Sequence, residues 1–306
     1  MIPAAVCTLP NNPMQVKSIL CPVDFSEFSA AALQYALSLA EYYHSRLICL
    51  HIVELWKYPF ADYAAYEADY AKFAKALNEG GEVQLRTFVE KYSGHGIRPE
   101  LVVRQGNASD CTLWFAEKEH IEVIVMGTHG RRGFDRLVLG SNADRIMRKA
   151  TCPVLVVSNP SQSATTVGPD GKHRLRRILY CTDFSHNSEG ARGYAISLAA
   201  EYGAELTLLH VAEKASDLAR ADGIVAERTR ELDMMVSKRE RENLNVTLAV
   251  KFGKPYEEIV QHATEAQTSL IIMTARGGDA ADRAVFGSTT YRVIQLGPCP
   301  VLAIHT

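Results

Sequence analysis

Glycines and hydroxyl residues gather where an apolar, strand-like run gives way to a helix-like one. The segment reads Gly127-Thr128-His129-Gly130, a nine-residue spacer, then Gly140-Ser141. Val123 to Met126 before it is continuously apolar, and Ser141 to Lys149 after it has helical spacing. Glycines admit positive φ and close backbone approach, so a strand-to-helix loop rich in them can turn several N–H groups toward an anion. Gly140-Ser141 adds N–H donors and a hydroxyl at the positive end of the next helix, which suits phosphate. The same glycines also suit plain turns, and sequence alone leaves both readings open. Asp24-Phe25-Ser26 is a further candidate: Asp24 can accept from ribose hydroxyls, and Ser26 can cap a helix. His129 suggests proton transfer but has no visible partner. Arg131 and Arg132 either add positive charge or simply solubilise a loop.

Other chemistries find no support. There is no G-x-x-x-x-G-K-[ST], no G-x-G-x-x-G and no G-x-S-x-G. H-x-G-H and S-G-G-x-D are missing as well. The chain has 306 residues with 33 Lys and Arg against 35 Asp and Glu, a net charge of −2, which gives no electrostatic reason to expect nucleic acid or a membrane surface as partner. No run approaches the roughly 20 apolar residues of a membrane helix. The seven cysteines are scattered without a C-x-x-C pair, as expected of reduced thiols in a cytoplasmic protein. Residues 1–15 lack a basic segment and carry three prolines, so they read as a flexible tail rather than a signal peptide.

The elements that must hold these residues occur twice. Ile19 to Glu54 aligns without a gap on Ile178 to Glu213, setting Asp24 on Asp183, Ser26 on Ser185, Tyr35 on Tyr194 and His51 on His210. Farther on, Gly106 matches Gly253 and Gly130 matches Gly277, and TCPVLVV at Thr151 matches PCPVLAI at Pro298. The first copy carries extra residues between Glu54 and Gly106, and SNPSQSATTVGPDGKHR between the copies is a polar linker. The expected organisation is a tail (1–15), a first domain (16–158), a linker (159–173) and a second domain (174–306). In the first copy, strands are expected at 18–23, 47–53, 97–104, 121–126 and 153–157. Helices are expected after Ser26 and over 62–93, 109–119 and 141–149. The insert WKYPFADYAAYEADYAKF is expected to be helical and to cover the sheet. Strands alternating with helices imply right-handed crossovers, hence an α/β fold with a doubly wound five-stranded parallel sheet per copy. Ligands of such sheets sit beyond the C-terminal strand ends, where the strand order reverses.

G-x-x-G, nine residues and G-S, set after VIVM and before C-P-V-L-V-V, with D-F-S after the first strand and H-I-V-E after the second, resemble the universal stress protein family in its tandem form. The resemblance covers both copies. It implies strand order 3-2-1-4-5, an adenine nucleotide alpha-hydrolase-like fold, and binding of ATP, with or without Mg²⁺. Carried over residue by residue, adenine and ribose would meet Pro22, Val23, Asp24 and Val53. Phosphates would meet Met126, Gly127, Gly130, Gly140, Ser141 and Asn142. In the second copy Thr182, Asp183, Val211, Gly277, Gly287 and Ser288 take these places. There Thr274 replaces the first glycine and Arg276 replaces His129, so the second site is expected to be weaker or degenerate. The resemblance further implies that the terminal C-P-V-L strands pack the halves into an intramolecular pseudo-dimer, with self-association of two chains through another face as an additional state. The function implied is a stress-response sensor or regulator. A nucleotide-independent interaction scaffold and a slow ATPase are the alternatives.

Overall fold

The computed structural model describes residues 16–55, 67–93, 96–128, 139–158, 175–212, 218–275 and 287–305. In the first half β1 (Ser18–Pro22) leads to α1 (Glu27–Tyr43), β2 (Arg46–Val53), α2 (Glu67–Tyr92), β3 (Glu100–Gln105), α3 (Ala108–Lys118), β4 (Val123–Gly127), α4 (Ser141–Lys149) and β5 (Val154–Val157). The second half repeats this as β6 (Arg177–Cys181), α5 (His186–Tyr202), β7 (Glu205–Ala212), α6 (Leu218–Met234) with the short α7 (Lys238–Asn243), β8 (Val246–Phe252), α8 (Pro255–Glu265), β9 (Leu270–Thr274), α9 (Ser288–Leu296) and β10 (Val301–Ile304).

Local chemistry sets these boundaries. The Ser26 hydroxyl accepts from the N–H of Ser29 and starts α1, and His44 in the left-handed conformation ends it. Asn107 caps α3 by accepting from the N–H of Asp110. β3 begins at Glu100 rather than Ile97, because Pro99 has no N–H to give a ladder. The expected helix from 62 starts at Glu67 among the described residues; 62–66, most of the insert and the linker lie outside them.

Each half has the order 3-2-1-4-5, all parallel, as the resemblance implied: β3-β2-β1-β4-β5 and β8-β7-β6-β9-β10. The halves do not carry separate sheets. β5 and β10 pair antiparallel, with Leu155 opposite Leu302, and fuse everything into ten strands. Two apolar layers run the full width of this sheet. One packs α1, α2 and α5 through residues such as Leu33, Ala36, Leu85, Ala195 and Leu198. The other packs α3, α4, α8 and α9 through Phe115, Ile146, Met147, Ile259 and Val293. Strands covered on both faces need apolar residues throughout, and β4, β5 and β10 have them. No described helix is long and apolar enough to cross a membrane.

Candidate functional site

In the first half β1 pairs with β2 on one side and β4 on the other, so the strand order reverses between β1 and β4. The chain leaves β1 through Val23, which is buried, and the half-buried Asp24. The Asp24 carboxylate accepts the N–H of Ser26 (3.0 Å), closing a tight turn. Phe25 inside that turn has φ +65°, a costly conformation for an aromatic residue. Two contacts hold it there. Its ring lies 4.4 Å from that of His51 and 5.4 Å from that of Phe88. His51 Nδ1–H in turn donates to the Val23 carbonyl (2.8 Å), tying the end of β1 to β2.

The glycine segment begins at Gly127, the last residue of β4. A Cβ there would lie 2.6 Å from Phe28 Cβ and 2.8 Å from the Phe28 carbonyl carbon. Gly127 therefore lets the first turn of α1 press onto β4, a packing duty beside any contact with a ligand. Residues 129–138, which include Gly130, His129, Arg131 and Arg132, lie outside the described residues. The segment returns at Gly140, whose N–H donates to the Thr128 carbonyl (2.9 Å) while its own carbonyl accepts from Asp144 (2.8 Å). Gly140, having no side chain, brings no side-chain cap to the positive end of α4. Ser141 is exposed there and Asn142 half-buried, while Met126 is buried in the strand. Val53 ends β2 and its carbonyl accepts the N–H of Gly106 (3.2 Å), a residue at φ +142°.

The second half builds the same frame. Asp183 accepts from the N–H of Ser185 (3.0 Å), Phe184 has φ +59°, and His210 Nδ1–H donates to the Thr182 carbonyl (2.9 Å). Burial holds the His210 imidazole below its ordinary pKa, which favours its neutral form. Gly287 N–H donates to the Ala275 carbonyl (3.0 Å), and Gly287 stands before α9 as Gly140 stands before α4, likewise without a side-chain cap, with Ser288 exposed beside it. Gly277 and Arg276 lie outside the described residues. Gly253 donates to the Ala212 carbonyl (3.2 Å), so Ala212, which the gapless alignment also sets on Val53, is its counterpart rather than Val211.

The halves also differ. Thr274 stands where Gly127 does, and α5 carries Asn187 where α1 carries Phe28, so a larger residue on the strand accompanies a smaller one on the helix. Near the first turn, Phe25 meets the Phe88 ring, whereas Phe184 meets the Arg228 guanidinium (5.7 Å), itself paired with Glu231 (2.5 Å). The matched histidines were visible in the repeat, but nothing in their spacing marked them as props for the carbonyls of Val23 and Thr182.

The fold defines a pair of doubly wound α/β repeats, with the strand order reversing between β1 and β4 in one and between β6 and β9 in the other. The chain belongs to the universal stress protein family, whose model matches residues 15–158 and 174–305. It is similar over 298 residues to a universal stress protein of Mycolicibacterium smegmatis, at 25% identity, covering 94% of this chain and 96% of that one. The universal stress protein MJ0531 of Methanocaldococcus jannaschii is 31% identical over 152 residues, half of this chain and 88% of its own length. A solved universal stress protein from Archaeoglobus fulgidus superposes with TM-score 0.66 over 95% of this chain and 98% of its own, and at 23% identity it supports the fold.

Proposed function

We propose that the chain is an adenine-nucleotide-binding stress-response regulator that holds ATP in the first-half crevice. Asp24 receives the ribose hydroxyls, the end of β2 at Val53 borders the base, and the Gly140-Ser141 end of α4 meets the phosphates. The observation that carries this reading is the start of α4 without a side-chain cap, following the strand β4 that pairs with β1, whose end makes the Asp24 turn. Near-neutral net charge means that phosphate attraction comes from local dipoles rather than the field of the whole molecule. The second half, with Thr274 and a different first-turn neighbour, is the weaker site.

A ligand bound only by the native state must raise its stability, by about 2.7 kcal/mol at a hundredfold excess over Kd. ATP with Mg²⁺ is therefore expected to raise the Tm of the full chain. Gly140→Asp, which sets a carboxylate at the phosphate position, is expected to remove most of that rise, and Gly287→Asp little of it. No rise at saturating ATP would refute nucleotide binding. Mass spectrometry of the small molecule released on denaturation is an independent check.

A further inference from the structure

We propose that the C-terminal turns of α1 and α5 form a complementary clasp, which selects pairing of the first half with the second half over pairing of like halves. Its partner is thus the opposite half of the repeat. The contact joins residues at matched places in the two copies. Tyr43 corresponds to Tyr202 and Ser38 to Ser197, but the place before the tyrosine holds Tyr42 in one copy and Glu201 in the other.

That one difference organises the contact. The Tyr42 hydroxyl donates to the Glu201 carbonyl (2.6 Å), and its ring stacks on Tyr202 at 4.3 Å and 17°. The Tyr43 hydroxyl donates to the Glu201 carboxylate Oε2, while Ser197 donates to Oε1 (3.3 Å). Tyr43 also meets Tyr202 edge-on at 6.5 Å and Tyr42 edge-on at 5.0 Å. Burial, then the bond to Glu201, keep the Tyr43 hydroxyl protonated far above neutral pH, so it remains a donor. Glu201 thus accepts from Tyr43 with one carboxylate oxygen and from Tyr42 with its carbonyl, while Ser197 of its own helix steadies the other oxygen.

A like pairing would lack this balance. Two first halves would bring four tyrosines together with Tyr42 in place of the carboxylate that accepts from the Tyr43 hydroxyl, since the nearest one in α1, Glu41, stands at the place of Ala200. Two second halves would bring two Glu201 carboxylates together across the axis, where like charges repel. Only one aromatic side against one carboxylate side satisfies both. The β5–β10 seam gives no such discrimination at its centre, because Leu155 and Leu302 are the same residue type.

The test is an exchange in the full chain. Tyr42→Glu and Glu201→Tyr are each expected to lower the apparent Tm by about 2–4 °C, and the two together to restore it to within about 1 °C. The loss in Tyr42→Glu should shrink in high salt, because it comes from like charges. Tyr43→Phe should lower the Tm of the wild type but not of Glu201→Tyr, which has already lost the acceptor. Additive losses in the exchanged chain, or single variants without effect, would overturn the proposal.

Discussion

At the scale of single residues, Gly127 shows how one position can serve two demands. A glycine before a helix-forming segment is expected to approach phosphate, yet its missing Cβ is already required by Phe28 at 2.6 Å. Thr274 in the second half then belongs with Asn187, as a strand residue that grew where the helix residue shrank. Gly127→Thr is expected to cost about 1–3 kcal/mol by overpacking. Adding Phe28→Asn should make the double variant less destabilised than the sum of the two by at least about 0.5 kcal/mol. Urea unfolding of the four proteins gives the answer, and strict additivity would deny the pairing. The Ser26 cap was legible because serine before a helical stretch favours that place. The positive φ of Phe25 and Phe184 was not, since aromatic residues rarely adopt it and only the His51 and His210 contacts make sense of it. The counterpart of Val53 is Ala212 in the gapless alignment itself, one residue beyond Val211, and the backbone bond from Gly253 agrees with it.

At the scale of elements, the two opening helices look interchangeable in sequence and are not. α1 and α5 both follow D-F-S, but only the Ser26 hydroxyl accepts from the first turn. The Ser185 Oγ is buried without a hydrogen-bond partner. Ser26→Ala is thus expected to cost about 0.5–2 kcal/mol. Ser185→Ala should stay within roughly 0.5 kcal/mol of wild type or gain slightly, because it removes an unsatisfied hydroxyl. Equal losses in thermal denaturation would contradict the difference. Element order and type were legible because apolar runs and helical spacing alternate twice in the same sequence of blocks. Where β3 starts was less so, since Ile97 continues the apolar pattern while Pro99 interrupts the ladder.

At the scale of the molecule, duplication was legible and the single ten-stranded sheet was not. C-P-V-L marks a buried strand, but only the antiparallel register of Leu155 on Leu302 shows that two sheet edges have been joined. Both leucines are 5% exposed, and the apolar layers continue past them into both halves. The halves should consequently unfold together. Leu302→Ala is expected to cost about 2–5 kcal/mol and to split one calorimetric transition into two, the second half melting first. A single sharp transition at lower temperature would mean that the seam is not what couples them.

The Tyr42 and Glu201 pair has a consequence for how such a molecule can change over time. In a two-fold dimer of identical chains, every substitution near the axis occurs twice and meets itself, so an aromatic group cannot face a carboxylate at matched places. Two copies in one polypeptide remove that constraint. Each mutation then lands on one side only, and the two sites can drift apart in the same way, as the neighbours of Phe25 and Phe184 already have. Fusion turns one interface and one site, each bound to its mirror, into separate inheritable traits.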